Sequence, residues 1–193
     1  SAGDAARKRD LKVIEAEIER VNKLIRQFLD YARPRPPSLE PADARGLIAE
    51  TLELAGYEIE SQGVELERVD ESDLPPVAMD REQMKQVLLN LILNALQAMP
   101  GGGKLRIETA LRDFPGEGRA GRAVELRVKD TGGGIPPEIR SRIFEPFFST
   151  KEEGIGLGLS FAQRIVEEHG GRIRVECPEG QGTEFSVLLP LRE

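Results

Sequence analysis

The chain holds one cysteine and one histidine in 193 residues. A lone Cys177 excludes an intramolecular disulfide, and with a single imidazole beside it no zinc site of the usual four-ligand kind can be assembled. Long apolar runs are missing as well. The best of them, residues 87–99, is broken by Asn90, Asn94 and Gln97 and is too short to cross a bilayer. The first ten residues are small and charged, unlike a secretory leader. Internal repeats and low-complexity tracts are absent. So is any excess of positive charge: the net charge is −7, which argues against a nucleic-acid partner, whose phosphates need neutralising cations. What is left suits a globular chain in a reducing cytoplasm. It has 39% hydrophobic and 32% charged residues and length enough for one or two domains with a buried core.

The charge is uneven. Residues 1–40 carry nine Lys/Arg against seven Asp/Glu, so the remainder is strongly acidic. An acidic body that holds an anionic ligand needs a metal counter-charge and backbone donors. Within the first segment Leu11, Ile14, Ile18, Val21, Ile25, Phe28 and Ala32 recur at spacings of three and four, with charged residues between them. That narrow a/d seam predicts one long helix facing another helix, from a second copy or from elsewhere in a parent chain. The competing reading lays it on its own globular domain. Pro34, Pro36, Pro37 and Pro41 then forbid helix, so 34–41 is expected to be a stiff linker between a helical unit 1–33 and a domain 42–193.

In that domain the periodicity predicts helices over 43–59, 80–99 and 157–168, and a short one near 137–143. Strands are expected over 64–69, 104–111, 123–129, 172–176 and 183–189, with a soft loop around Pro115, Gly116, Gly118 and Gly121. The expected fold is α/β, a two-layer sandwich of a mixed β-sheet and helices, preceded by a long coiled-coil helix.

Three segments carry candidate chemistry. On the helix 80–99, Met84, Val87, Leu88, Leu91, Ala95 and Met99 form an apolar stripe, and Gln83, Gln86, Asn90, Asn94 and Gln97 form a second stripe of uncharged amides. Amides among apolar residues need partners, because an unpaired buried amide costs about 1–3 kcal/mol. The partners are other helices, or else a hard cation and phosphate oxygens. Asp130-Thr131-Gly132-Gly133-Gly134-Ile135 follows a strand, which makes it either a tight turn or an aspartate projecting into a cleft to accept from an exocyclic amine. Gly154-Ile155-Gly156-Leu157-Gly158-Leu159 opens into a helix, whose free N–H groups and positive dipole end suit a phosphate, though the glycine interval is not the dinucleotide fingerprint. Before it, Phe144, Phe147 and Phe148 suggest a hydrophobic hinge, and Lys151 is a point charge within reach of a phosphate. Together they read as a mobile lid.

In this order the segments resemble the boxes of sensor histidine kinases of two-component systems, in the GHKL superfamily. Gln86-Val-Leu-Leu-Asn90-Leu-Ile-Leu-Asn94-Ala95 is similar to the N box, residues 130–135 to the G1 box, 144–148 to the F box and 154–159 to the G2 box. His169-Gly170-Gly171 and Gly180-Gln-Gly182-Thr183-Glu-Phe185 resemble the tail of the same domain. Residues 5–33 resemble the second helix of the family's dimerisation domain.

The resemblance implies a Bergerat-type ATP-binding fold with ATP and Mg²⁺ as cofactors. Asn94 would ligate Mg²⁺, with Asn90 lining the same site and Gln97 nearby. Asp130 would bind the adenine amine, with Gly132, Gly134, Ile135, Phe148 and Thr183 around the nucleotide. Lys151 and Gly154, Ile155, Gly156, Leu157, Gly158 and Leu159 would close over the phosphates. Asn90, Asn94 and Lys151 would be the catalytic set. Where the superfamily's ATP-hydrolysing members carry a glutamate base, this chain has Asn90, so transfer to an incoming histidine is implied rather than hydrolysis.

One departure is plain. The family's phosphoacceptor histidine sits on the first dimerisation helix, whereas His169 stands at the end of the lid helix beside two glycines and reads as capping and packing. The chain is therefore expected to begin after that first helix and to lack its own acceptor. Implied partners are a second copy through the N-terminal helix, the missing dimerisation helix with its histidine, and a response-regulator receiver domain. The implied setting is cytoplasmic, as the cytoplasmic part of a membrane-anchored sensor where such an anchor exists. Two rival functions fit the same residues: a nucleotide-binding dimerisation module without kinase activity, and a serine/threonine kinase of the anti-sigma-factor kind.

Overall fold

The computed structural model describes residues 11, 14, 18, 35–114, 121–151 and 154–191. Most of the expected N-terminal helix and the loop positions Pro115, Gly116 and Gly118 lie outside the described residues. Of the seam, Leu11, Ile14 and Ile18 are helical and exposed.

From residue 40 onward the chain runs through β1 (Glu40–Ala42), α1 (Ala44–Ser61), β2 (Val64–Asp70), β3 (Val77–Met79), α2 (Arg81–Gln97), β4 (Gly103–Phe114), β5 (Gly121–Asp130), α3 (Gly158–Glu168), β6 (Arg172–Glu176) and β7 (Glu184–Pro190), with a 3₁₀ turn at Pro137–Ile139. The main sheet has the order β2-β4-β5-β7-β6. β2 and β4 are parallel and the other pairs antiparallel, so the sheet is mixed. Parallel neighbours need a long crossover, and α2 lies within it. β4 and β5 form a long hairpin in register from Leu105↔Asp130 to Phe114↔Gly121.

The two faces of the sheet follow the period-2 alternation of their sequences. On β5, Val124, Leu126 and Val128 are buried under the helices together with Leu105 and Ile107 of β4 and Val187 and Leu189 of β7. The buried faces of α1 (Leu47, Ile48, Ala55, Ile59) and α2 (Met84, Leu88, Leu91, Leu96) close the core from above. At about 1.5–3 kcal/mol for each fully buried large aliphatic side chain, this layer supplies most of the fold's driving force. The opposite face of β4 and β5 is charged. Arg127 bonds Glu108 on the neighbouring strand at 2.8 Å and Glu125 on its own at 2.8 Å.

The linker expectation for 34–41 is corrected at its C-terminal end. Residues 40 and 41 belong to β1, which pairs antiparallel with β3 in the register Glu40↔Met79, Pro41↔Ala78, Ala42↔Val77. Proline is tolerated because the pair has only two strands, so a strand can turn its missing donor away from its partner. Upstream, the Ser38 N–H donates to Asp80 Oδ2 at 3.1 Å and Gln83 Nε2 donates to the Arg35 carbonyl at 2.9 Å. Residues 35–41 are thus fastened to the domain before its first helix begins.

Candidate functional site

α2 starts at an N-cap, with Asp80 Oδ1 accepting from the Gln83 N–H at 3.1 Å. From there Asn90, Asn94 and Gln97 lie along one stripe and line a cleft of about 1160 Å³. Gln86 lines it too. Gln83 does not, because its amide is turned back onto the Arg35 carbonyl.

Asp130 is the last member of the row Val124, Leu126, Val128, Asp130, so the alternation that buries the three apolar residues delivers a carboxylate to the edge of the core. It is 3% exposed. Its Oδ1 accepts from the N–H groups of Gly132 at 2.8 Å and Thr183 at 3.2 Å. Oδ2 takes no hydrogen bond among the described residues. Burial pushes the carboxyl above its ordinary value, and the two N–H bonds only partly oppose that. Gly132 has no room for a side chain, since a Cβ there would stand 2.6 Å from the Ala98 carbonyl oxygen.

Facing this floor is the N-terminus of α3. Among the described residues no side chain caps it, so its first N–H groups and positive dipole end are open to an anion. Gly158 lets it approach α2, since a Cβ at this position would lie 2.5 Å from Asn90 Oδ1. Asn90 Nδ2 is buried with no hydrogen-bond partner among the described residues, a donor awaiting an acceptor.

Lys151 closes the arrangement. The residue is exposed overall, yet it lines the cleft and its ammonium donates to Asn94 Oδ1 at 3.1 Å and to Gln97 Oε1. Desolvation there pulls its pKa below the ordinary lysine value. Two neutral amide oxygens thus already hold a cation, which is the donor chemistry a hard metal ion selects.

All the expected site residues except Gly132 line this one cleft: Asn90, Asn94, Gln97, Asp130, Gly134, Ile135, Phe148, Lys151, residues 154–159 and Thr183. Gly132 sits behind Asp130 as a donor to it. Sequence reasoning missed the apolar end, which Ile139, Ile143 and Phe185 supply. It also missed Arg140, which ties its loop to the residue just after β6, through the carbonyls of Ile135 at 2.8 Å and Cys177 at 2.9 Å. A lone arginine in a loop carries no signal of such a role. Arg142 stacks over the Phe148 ring at 4.4 Å, and Phe144 meets Phe185 edge-on at 6.4 Å. His169 is 1% exposed and outside the cleft, with Nδ1 bonded to the Ile165 carbonyl at 2.7 Å.

Comparison with known proteins matches residues 79–193 to the family of histidine kinase-, DNA gyrase B- and HSP90-like ATPases. The chain is similar to the signal transduction histidine-protein kinase AtoS of Escherichia coli (strain K12), 39% identical over 94% of this chain and 29% of the relative. It spans between 24% and 38% of the length of the first five curated relatives. Among solved structures it resembles full-length ShkA in complex with AMPPNP, with TM-score 0.73 and 29% identity over 92% of this chain and 37% of that one. It also resembles the histidine kinase ThkA in complex with the response regulator TrrA, with TM-score 0.75 and 30% identity over 93% and 50% of the two chains.

Proposed function

This chain belongs to the family of histidine kinase-, DNA gyrase B- and HSP90-like ATPases, and from that premise we propose that its cleft binds ATP with Mg²⁺ and directs the γ-phosphoryl group to a histidine. That histidine stands on a dimerisation domain outside these 193 residues, and the group then passes to a response-regulator aspartate. The observation that carries the site assignment is that Asp130, whose Oδ2 takes no hydrogen bond among the described residues, lines the same cleft as Asn90, Asn94 and the first turn of α3. A carboxylate oxygen that only accepts suits the amine of adenine.

The residues divide the work by chemistry. Asp130 reads the base, and Ile135, Ile139, Ile143 and Phe185 exclude water around the ring. Asn90 Nδ2 donates to a phosphate oxygen. The α3 N-terminus supplies backbone donors, and Lys151 a positive charge. The amide oxygen of Asn94 is assigned to Mg²⁺, which supplies neutralisation of phosphate charge when bound. No carboxylate base stands at Asn90, so water is not activated there and ATP turnover by this chain alone is slow. His169 does not serve as acceptor, because it is buried with both ring nitrogens engaged. Helical, exposed Leu11, Ile14 and Ile18 support an N-terminal segment that pairs with another helix, a second copy or the dimerisation helix. No helix among the described residues is long and apolar enough to cross a membrane.

Calorimetric titration with ADP, ATP and GTP in the presence of Mg²⁺ tests the reading. Adenine nucleotides are expected to bind and GTP to bind more weakly. No binding at about 1 mM nucleotide, a free energy near −4 kcal/mol, overturns it. Transfer of labelled phosphate to a histidine-bearing dimerisation fragment then separates the kinase from a binding module.

A further inference from the structure

The Lys151 ammonium occupies the oxygen that the proposed function assigns to Mg²⁺. It bonds Asn94 Oδ1 at 3.1 Å and Gln97 Oε1 one helical turn further along α2. Lys151 is far from both in sequence, 57 positions from Asn94 and 54 from Gln97, so this meeting is made by the fold and not by local chain geometry. Gln97 adds a second acceptor on the same face of α2, and Lys151 has no carboxylate partner among the described residues.

We infer that Gln97 is a positioning residue that parks Lys151 on Asn94, so that Lys151 and the metal compete for one amide oxygen. The inference rests on the nucleotide reading of the cleft. In the nucleotide-free chain the ammonium stands in for the metal ion. When metal and nucleotide arrive together, Lys151 must leave Asn94, and a phosphate is the ready anionic acceptor for it. Metal entry and repositioning of the lid lysine are then one coupled event, and the coupling is reciprocal. An ammonium that only contacts phosphate, by contrast, helps nucleotide binding equally with and without metal.

The test is ADP affinity measured in EDTA and in Mg²⁺ for the wild-type chain, Lys151→Met and Gln97→Leu, with hydrogen exchange of the nucleotide-free proteins. Competition predicts that the gain in ADP affinity on adding Mg²⁺ is larger in both variants than in wild type, by about tenfold for Lys151→Met, the worth of one charge-assisted hydrogen bond. Gln97→Leu is also expected to raise amide exchange around residues 147–151 before any nucleotide is added. An equal loss of affinity in both buffers, together with unchanged exchange in Gln97→Leu, overturns the latch and leaves the nucleotide reading intact. Failure of the wild-type chain to bind ADP in either buffer overturns the nucleotide reading itself. Circular dichroism of each variant identifies a folding loss, and in that event Gln97→Asn, which shortens the arm by one methylene and keeps the amide, takes the place of Gln97→Leu with the same expected direction.

Discussion

The backbone N–H of Asp80 donates to Nε2 of His169 at 3.0 Å, across 89 residues of chain. On the far side of the ring, Nδ1 lies 2.7 Å from the Ile165 carbonyl. An N–H can only donate and a carbonyl only accept, so the two contacts together require the tautomer with its proton on Nδ1. The contact joins the N-cap of α2, the helix of the site asparagines, to the C-terminal end of α3, the helix whose N-terminus faces them. Asp80 also holds Ser38, so three separate segments meet at one residue.

His169→Ala removes both bonds and leaves a gap beside a donor that cannot reach water freely. The expected loss of stability is roughly 2–4 kcal/mol, from the unsatisfied N–H and the cavity together. Chemical denaturation measures it. Incubating the wild-type chain alone with labelled ATP should leave His169 unlabelled, and a phosphohistidine at that position would contradict the geometry.

Asp80→Ala removes an N-cap and should cost about 1 kcal/mol at neutral pH. Burial pushes the Asp80 carboxyl up, but the N–H groups of Gln83, Ser38 and Glu82 outweigh it and hold the pKa below the ordinary value. A carboxyl depressed in the folded state stabilises above its unfolded value, and that contribution is lost as pH falls through the folded value. The stability difference between wild type and Asp80→Ala should therefore be steady at neutral pH and shrink under acid, below the usual carboxylate range. Thermal melts across a pH series check the sign.

Much of this was legible before the fold was known, and the parts that were not share a cause. The row ending in Asp130 follows from alternation, and the stripe of Asn90, Asn94 and Gln97 from a period of 3.6, both local rules. The pairing of β1 with β3 was hidden because four prolines in eight residues read as a break, and nothing local says that Pro41 lies opposite Ala78. Gln83 belongs to the amide stripe by spacing, yet it serves the Arg35 carbonyl, because the tied-down segment passes the first turn of α2. His169 was readable as a capping and packing residue, but its bond to Asp80 depends on where α3 ends relative to α2. Contacts between elements are set by packing, which no single-segment pattern encodes.

Gly158→Ala separates stability from binding. The added methyl would stand 2.5 Å from Asn90 Oδ1 and 3.2 Å from Nδ2, so the asparagine must move. Its Nδ2 has no partner to lose in the nucleotide-free protein, and alanine is the better helix former by about 1 kcal/mol. Stability should therefore change by less than about 1 kcal/mol, while ADP affinity falls about tenfold as a phosphate donor is displaced. Unchanged affinity would remove Asn90 from the proposed site.

Asp130→Asn should make the nucleotide-free protein more stable and a poorer binder, and the two effects have one origin. The carboxylate is 3% exposed with no cation paired to it among the described residues, and desolvation raises its pKa. A carboxyl raised in the folded state carries a penalty at neutral pH, which disappears as pH falls through the raised value towards the unfolded one. An asparagine keeps the Oδ1 that serves Gly132 and Thr183, and removes the charge. The expected gain is about 1 kcal/mol, or 2–4 °C in Tm for a chain of this size, largest at neutral pH and vanishing in acid. Against adenine the same change sets a donor amide toward a donor amine, which should weaken ADP binding by about ten- to a hundredfold, the worth of one charge-assisted bond. Melts of the nucleotide-free proteins and ADP titrations read the two effects separately. A variant that melts lower and binds equally well would mean that Asp130 braces the loop at Gly132 and does not read the base.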